Sequence, residues 1–212
     1  MKKGILFDLD GTLWDSAEGV ADSWNDELAR MGRPERCTAE WVHSIMGKNM
    51  DQIAMLTFPR ETPEEAVRLL RGCLLRENAW LEEKGGVLYE GLEETLKALA
   101  EAGFFLAIVS NCQEGYIEAF LNHHGLGRYF RDTECFGRTR EEKGANIRHV
   151  VDRNGLEAAF YLGDTMGDYQ AAGEAGIPFL HAAYGFGTVP EGTPAIQDIR
   201  QLPEAARAFF GG

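Results

Sequence analysis

The sequence has few cysteines, and none of them are paired at metal-binding spacing. Cys37, Cys73, Cys112 and Cys135 are widely separated, and no CxxC motif occurs. This spacing excludes the usual zinc-finger patterns, and isolated thiols do not outline the disulfide framework of a small secreted domain. We therefore expect reduced, mostly buried cysteines in a cytoplasmic protein.

Long hydrophobic runs are also missing. The first apolar run extends only from Ile5 to Phe7 before charged residues appear. No later run approaches the length of a membrane-spanning helix, and the N-terminus lacks the apolar core of a signal peptide. From the sequence we expect no signal peptide and no membrane as a partner.

Basic residues are in the minority and form no cluster. Lys and Arg number 21 against 34 Asp and Glu, which gives a net charge of −13. Nucleic-acid backbones and anionic membrane surfaces attract concentrated positive charge, so we expect no nucleic acid as a partner. The sequence carries no signal for an oligomeric state.

The sequence does contain an alternation of strand and helix patterns. Short apolar runs typical of buried strands occur at 4–8, 104–111, 133–137, 159–164 and 177–183. Helical spacing of apolar residues separates them, as at Leu92, Leu96 and Leu99. This alternation predicts an α/β fold with a Rossmann-like, three-layer core, in which a parallel sheet lies between two layers of helices.

Residues 16–85 interrupt the alternation with helical patterns only. One helix start is explicit, because Thr62 is a good N-cap residue and Pro63 suits the first helical position. We therefore predict two domains, a core of residues 1–15 and 86–212 and an all-helical cap of residues 16–85. The two chain connections between them would form a hinge.

Polar residues follow the predicted strands at the points where the strands end. They are Asp8 and Asp10 after the first strand, Ser110 and Asn111 at the end of the second, Lys143 at the start of a later helix, and Asp164 and Asp168 after the strand at 159–164. The carboxyl ends of parallel strands share one edge of a sheet, and ligands bind there. We therefore expect these side chains to converge.

The expected group of carboxylates needs neutralisation. Several carboxylates at one point repel each other unless protons or a cation compensate their charge. Oxygen ligands favour a hard ion, and Mg²⁺ suits a site with few protein ligands and several waters. An ammonium, a hydroxyl and an amide beside such a site are groups that bind phosphate. The residues thus predict a magnesium site next to a phosphate-binding site.

Four motifs resemble, in the same order, those of the haloacid dehalogenase superfamily of phosphatases. They are "DLDGT" at 8–12, "VSN" at 109–111, the lysine of "EEKGANI" at 143, and "GDTMGD" at 163–168. The resemblance covers essentially the whole chain, including a helical cap directly after the first motif. Within the superfamily, "IMGKNM" and "ECFGRTREEKGANI" look closest to members of the phosphoglycolate phosphatase type.

The resemblance implies roles for the motif aspartates. Asp8 would be the nucleophile that forms an aspartyl-phosphate. Asp10 would act as the general acid and base, and its backbone carbonyl would help to hold the metal. Asp164 would join Asp8 on Mg²⁺, while Asp168 would act through a metal-bound water or orient Lys143.

The remaining residues are implied to bind the substrate. Ser110 and Asn111 would hold the transferring phosphoryl group, and Lys143 would neutralise its charge. In the cap, His43 and Lys48 lie near a glycine where related capped phosphatases place residues that face the active site. They are our candidates for residues that select the substrate.

Together these expectations describe a Mg²⁺-dependent hydrolase of a small-molecule phosphate monoester. The resemblance makes Asp10 informative, because dehalogenase members lack an acid there and related ATPases carry threonine. A sugar-phosphate mutase of the beta-phosphoglucomutase type would keep both the aspartate and the phosphoenzyme, so it stays open as an alternative. A non-catalytic binding protein with the same fold is a further alternative.

Overall fold

The strands of the chain form one large sheet and one small one. The structure, a computed structural model, describes residues 1–211. In chain order the strands are β1 (Lys3–Phe7), β2 (Trp14–Asp15), β3 (Val87–Leu88), β4 (Phe105–Ser110), β5 (Asp132–Cys135), β6 (Ala158–Gly163), β7 (Phe179–Ala182) and β8 (Ala195–Ile196). Within the described residues, six of them form a parallel sheet in the order β5-β4-β1-β6-β7-β8.

Helices cover both faces of the large sheet. In chain order they are α1 (Ala17–Arg30), α2 (Ala39–Ile45), α3 (Met50–Thr57), α4 (Pro63–Lys84), α5 (Leu92–Glu101), α6 (Tyr116–His124), α7 (Phe136–Thr139), α8 (Lys143–Arg153), α9 (Met166–Ala175) and α10 (Leu202–Phe210). Helices α8 and α9 pack on one face, while α5, α6 and α10 pack on the other. The predicted three-layer α/β fold is confirmed. None of the helices in the part of the chain that the structure describes is long and apolar enough to cross a membrane.

The central strand β1 is apolar on both of its faces. Ile5, Leu6 and Phe7 are fully buried, with Leu6 facing α8 and α9 and the other two facing the opposite layer. Helices on both sides exclude water, which is why the strand shows no polar alternation. In the sheet, Phe7 pairs with Ile108 of β4 and with Leu162 of β6. The carboxyl ends of these three strands therefore lie side by side.

Helices α1 to α4 form a helical segment, residues 17–84, between β2 and β3. These two strands pair antiparallel, Trp14 with Leu88 and Asp15 with Val87, so the chain leaves the sheet region and returns to it side by side. Two-residue strands are too short to show an apolar alternation, and the sequence did not predict them. That the helical segment is a separate cap domain stays a prediction.

The longest helix of this segment, α4, begins at the signal that the sequence indicates. The side chain of Thr62 accepts a hydrogen bond from the backbone N–H of Glu65 at 3.3 Å, and Pro63 occupies the first turn. The helix ends before Gly85, whose φ of 73° lies in the left-handed region that glycine adopts without strain.

The packing of the sheet predicts which leucines stabilise the fold. Leu162→Ala should lower the free energy of unfolding by about 2–5 kcal/mol, because the side chain is fully buried and its removal leaves a cavity. Leu75→Ala, at a leucine that is 65% exposed, should change it by less than about 0.5 kcal/mol. Urea unfolding of both variants measures the difference, and equal losses would contradict the packing described above.

Candidate active site

Three aspartates meet at the edge of the sheet where β1 and β6 end. Asp8 follows β1, Asp164 follows β6, and Asp168 lies in the first turn of α9. All three are buried, and one oxygen atom from each lies within 4.8 Å of the others. The sheet register thus brings together carboxylates that are up to 160 positions apart in the chain.

A buried lysine links two of these carboxylates. The Nζ atom of Lys143, the first residue of α8, donates hydrogen bonds to Oδ1 of Asp8 at 2.9 Å and to Oδ1 of Asp168 at 2.6 Å. Burial alone would lower the pKa of this lysine, but the carboxylates of Asp168 and Asp8 raise it above its ordinary value. Lys143 therefore stays charged and compensates part of the negative charge.

Asp168 also stabilises the helix on which it lies. Its Oδ2 atom accepts hydrogen bonds from the backbone N–H of Thr165 at 2.9 Å and from the Thr165 hydroxyl at 2.7 Å. In return, the Asp168 N–H donates to the Thr165 hydroxyl oxygen, which completes a capping box. One carboxylate oxygen thus caps α9 while the other orients Lys143, so the helix start and the lysine are positioned together.

One lysine does not neutralise three buried carboxylates. Burial raises the pKa of Asp8 to about 8, with a further contribution from Asp168 and an opposing one from Lys143. Burial and the charge of Asp168 likewise raise the pKa of Asp164 to about 7. Both shifts show that the site favours an additional positive charge, supplied by protons or by a metal ion.

An unsatisfied oxygen at Asp164 fits a metal ligand. Its Oδ2 atom accepts a hydrogen bond from the backbone N–H of Phe186 at 2.7 Å, but its Oδ1 atom is buried and has no hydrogen-bond partner among residues 1–211. Buried polar atoms nearly always form a hydrogen bond, so this unpaired oxygen is available to bind a metal ion. The donor set of carboxylate oxygens suits a hard cation such as Mg²⁺.

A glycine allows the loop after β1 to approach the carboxylate of Asp164 closely. Gly11 has a φ of 80°, and a Cβ atom on it would lie 2.3 Å from Oδ2 of Asp164. Neither the conformation nor the space would accept a side chain. The glycine of "DLDGT" is therefore required by the geometry of the site.

Asp10 is held by two hydroxyl groups. Ser16 donates a hydrogen bond to its Oδ1 atom at 2.7 Å, and the Tyr116 hydroxyl donates to the same atom at 2.8 Å. Burial raises the pKa of Asp10, while Ser16 and Tyr116 partly oppose the shift. A fixed carboxyl group with a raised pKa suits proton transfer near neutral pH.

The end of β4 contributes an amide that also touches the helical segment. Ser110 is buried at the end of the strand, and the Nδ2 atom of Asn111 donates a hydrogen bond to the backbone oxygen of Gly47 at 2.9 Å. In the part of the chain that the structure describes, the buried Oδ1 atom of Asn111 has no hydrogen-bond partner. Asn111 therefore connects the sheet edge to the loop between α2 and α3.

A cavity separates the carboxylates from the helical segment. It contains about 510 Å³ of space not filled by protein atoms, its open mouth included. Asp8, Asp10, Ser110 and Asn111 line it from the sheet side, and Lys48 is among the residues that line it from the helical segment.

The two candidate residues from the α2–α3 region differ in position. Lys48 lies in the wall of the cavity. His43 lies elsewhere: its Nε2 atom is 3.0 Å from Oδ1 of Asp15, and its ring packs on Phe186 with 4.3 Å between ring centroids. Asp15 belongs to β2, so His43 links the helical segment to the connection through which the chain enters it.

Several polar residues at or near the cavity were not predicted from the sequence. Ser16 and Tyr116 bind Asp10, and Glu77 and Gln113 line the cavity from α4 and from the loop before α6. Only Glu77 has a signal in the sequence, because it occupies the apolar stripe of α4. The buried residues of that stripe are Ala66, Leu69, Leu70, Cys73, Glu77 and Leu81.

Known proteins resemble this chain over nearly its whole length. A phosphoglycolate phosphatase of Pseudomonas syringae pv. tomato is 31% identical over an alignment that covers 95% of this chain and 79% of that protein. A 5′-nucleotidase of Pseudomonas aeruginosa is 34% identical, with 88% of this chain and 85% of that protein covered. Both relatives are named for the hydrolysis of phosphate monoesters.

Solved structures share the fold. The structure of CbbY from Rhodobacter sphaeroides in complex with phosphate aligns with a TM-score of 0.79 over 95% of this chain and 96% of that one, at 21% sequence identity. At this identity the likeness concerns the fold alone.

The family of this chain is assigned from its sequence and not from the structural likeness. The family model described as "Haloacid dehalogenase-like hydrolase" matches residues 5–182, which includes all four motifs. The predicted family and the predicted enzyme class are confirmed. The chain belongs to the haloacid dehalogenase-like hydrolases, as an enzyme that acts on phosphate monoesters.

Proposed function

We propose that this enzyme is a Mg²⁺-dependent phosphatase that cleaves a small-molecule phosphate monoester through an aspartyl-phosphate on Asp8. The observation that carries the proposal is the arrangement around Asp8. Its carboxylate lies in the cavity wall, 2.9 Å from the ammonium of Lys143, and one of its oxygens lies within 4.8 Å of a carboxylate oxygen of Asp164. The nucleophile Asp8, the buried ammonium of Lys143 and a carboxylate that can bind a metal ion, that of Asp164, thus lie together at one edge of the sheet.

Asp8 and Asp164 would hold the metal ion through carboxylate oxygens. When bound, Mg²⁺ supplies positive charge that offsets the repulsion between Asp8 and an incoming phosphate dianion. Lys143 adds an ammonium at Oδ1 of Asp8 and orients that carboxylate. Asp168 positions that ammonium, since its own oxygen accepts a hydrogen bond from it.

In the first step, a carboxylate oxygen of Asp8 attacks phosphorus and the ester P–O bond breaks. The bonding electrons leave with the ester oxygen, which takes a proton from the carboxyl group of Asp10. Ser110 and the amide of Asn111 line the same cavity and would donate hydrogen bonds to the phosphoryl oxygens. The raised pKa of Asp10 supports this step, because burial favours the protonated form that donates the proton.

In the second step, water attacks phosphorus and the aspartyl P–O bond breaks. Asp10, now ionised, accepts the proton from the attacking water, and Asp8 is regenerated as a carboxylate. The hydrogen bonds from Ser16 and Tyr116 support both forms of Asp10, because a hydroxyl group can donate or accept. Phosphate and the alcohol are the products.

The helical segment would act as a cap of residues 16–85 that closes over the site. Two contacts support this proposal: Asn111 bonds to Gly47, and His43 pairs with Asp15 at the chain connection. A closed cap excludes bulk water while the phosphoryl group is transferred, and opening it releases the products.

The relatives support the substrate class without naming the substrate. A phosphoglycolate phosphatase and a 5′-nucleotidase act on organic groups of very different size, yet both are similar to this chain. What they share is the phosphate monoester. The mutase alternative stays a prediction, and it differs in one measurable respect, since glucose 1-phosphate with a bisphosphate primer would give glucose 6-phosphate without net phosphate release.

Replacing the nucleophile tests the covalent step. Asp8→Asn should reduce phosphate release by at least about 10³-fold, because an amide oxygen is a poor nucleophile. Acid-quenched wild-type enzyme should carry a phosphoryl group on the peptide that contains Asp8, detected by mass spectrometry. Asp22→Asn, at an exposed aspartate of α1, is the matched control and should keep full activity. A phosphorylated residue other than Asp8 would contradict the proposal.

The proton donor can be tested by changing the leaving group. In Asp10→Asn, kcat/KM for ethyl phosphate should fall by about 10²–10⁴-fold, because ethoxide needs a proton. For p-nitrophenyl phosphate the loss should be less than about tenfold, because nitrophenolate leaves without a proton. The ratio kcat/KM reports only the steps through phosphoenzyme formation. The same loss for both esters would rule out Asp10 as the acid of this step.

Metal binding should depend on pH in a defined direction. The raised pKa values of Asp8 and Asp164 mean that the folded state binds protons more tightly than the unfolded state. In the presence of a chelator, this stabilisation is lost progressively as the pH rises from about 4, the ordinary pKa of a carboxyl group, to about 8, so the melting temperature should fall over this range. Protons compete with Mg²⁺ for the same oxygens, and the Mg²⁺-induced rise in melting temperature should be larger near pH 8.5 than near pH 5.5.

The variant that tests where the metal ion binds is Asp164→Asn. It removes a proposed ligand and should abolish most of the Mg²⁺-induced rise in melting temperature at the higher pH. An equal rise in wild type and variant would place the metal elsewhere.

A further inference from the structure

A buried carboxyl group on the helical segment lies outside the four motifs. Glu77 of α4 is only 4% exposed, and it lines the cavity together with Asp8 and Asp10. Burying an acid without a positive partner costs free energy. A leucine or alanine would fit the apolar stripe of α4 without this cost, so the acid at this position requires a reason.

Two neutral side chains hold Glu77. The indole N–H of Trp24 donates a hydrogen bond to Oε2, and Nε2 of Gln113 donates to Oε1 at 2.9 Å. Within residues 1–211, no lysine or arginine influences this carboxyl group enough to lower its pKa. Burial raises the pKa of Glu77 to about 7, and the charge of Asp10 adds to the shift. The group is oriented but not neutralised.

Glu77 keeps the capacity to bind a further donor. Each carboxylate oxygen has two lone-pair sites, and each oxygen of Glu77 accepts one hydrogen bond from the protein. Much of the surrounding wall cannot donate a hydrogen bond to these oxygens, because it is apolar, with Val20, Val42, Ile45 and Leu74 among its residues. A polar group in an apolar wall orients ligands and gives specificity.

Glu77 lies where the organic part of the ester would bind. The inference rests on the proposed phosphatase function, in which the phosphoryl group lies at Asp8. The organic part then extends into the cavity toward the helical segment, whose wall contains Glu77. A carboxylate on the organic part would meet an acid that already has no positive partner, whereas a hydroxyl or ammonium group would satisfy it.

We propose that Glu77 selects the leaving group by accepting a hydrogen bond from a hydroxyl or ammonium group on it and by disfavouring a carboxylate at that place. Phosphoglycolate, the substrate in the name of several relatives, carries a carboxylate. The preferred ester of this enzyme therefore carries a hydroxyl or ammonium group, and no carboxylate, on the part of the leaving group that lies against Glu77.

A matched series of esters tests the inference. The esters are ethanolamine phosphate, ethylene glycol monophosphate, ethyl phosphate and 2-phosphoglycolate, together with the corresponding four-carbon compounds in case the shorter chains do not reach Glu77. Phosphate release is measured for wild type, for Glu77→Gln and for Glu83→Gln. Glu83 is an exposed glutamate of the same helix and controls for the loss of one charge from α4.

In wild type, kcat/KM should be at least about tenfold higher for the hydroxyl or ammonium ester than for the carboxylate ester, at one chain length or both. In Glu77→Gln this preference should fall by about tenfold or more, and the carboxylate ester should improve. The alkyl phosphate, which has no such group, should change by less than about threefold, which shows that the variant is folded. A larger loss for the ammonium than for the hydroxyl ester identifies a cationic leaving group.

Several results would overturn the inference. A wild type that prefers the carboxylate ester contradicts it without any variant, and so does an order of esters that Glu77→Gln leaves unchanged. An equal loss for all four esters in Glu77→Gln would mark Glu77 as a structural residue only. These results leave the proposed phosphatase intact, whereas the absence of phosphate release from every ester by wild type would overturn the proposed function and this inference with it.

Discussion

The ammonium of Lys143, buried between the carboxylates of Asp8 and Asp168, is the interaction on which the rest of the site depends. It ties the end of β1 to the start of α9, two points that only the parallel sheet brings together. Without this cation, three buried carboxylates would meet with no compensation, and their repulsion would oppose folding. The remaining negative charge, together with the unsatisfied oxygen of Asp164, is what makes the site suitable for a metal ion and a phosphate group.

The helical segment gives this charged edge its second wall. Asn111 bonds to Gly47 and His43 bonds to Asp15, and the side of the cavity formed by the helical segment is largely apolar. In the proposed mechanism the residues that transfer the phosphoryl group lie on the sheet side, while Lys48 and Glu77 lie in the wall on the helical side. Two side chains of opposite charge in that wall would allow the enzyme to distinguish organic groups that share the same phosphate.

The residues at the strand ends could be predicted from the sequence because the apolar run of each strand shows where that strand ends. A buried strand such as β1 fixes where Asp8 emerges, and parallel topology then brings Asp164 beside it. Lys143 was recognisable only through its motif, since a lysine at a helix start has no distinct pattern. Tyr116 and Ser16 could not be predicted, because their contact with Asp10 depends on how α6 packs against the loop after β1. Glu77 is visible in the sequence as an acid in the apolar stripe of α4. Its proposed role could not be predicted, because that role depends on the cavity, which only the fold creates.

The central claim, that Asp8 carries the phosphoryl group between substrate and water, is tested most directly by the stereochemical course at phosphorus. Each in-line displacement inverts the configuration, so two displacements through an aspartyl-phosphate should give net retention when a chiral, isotopically labelled phosphate ester is hydrolysed. Retention is the result that the account predicts. Net inversion would show a single displacement by water, with Asp8 acting only as a ligand or base, and would contradict it.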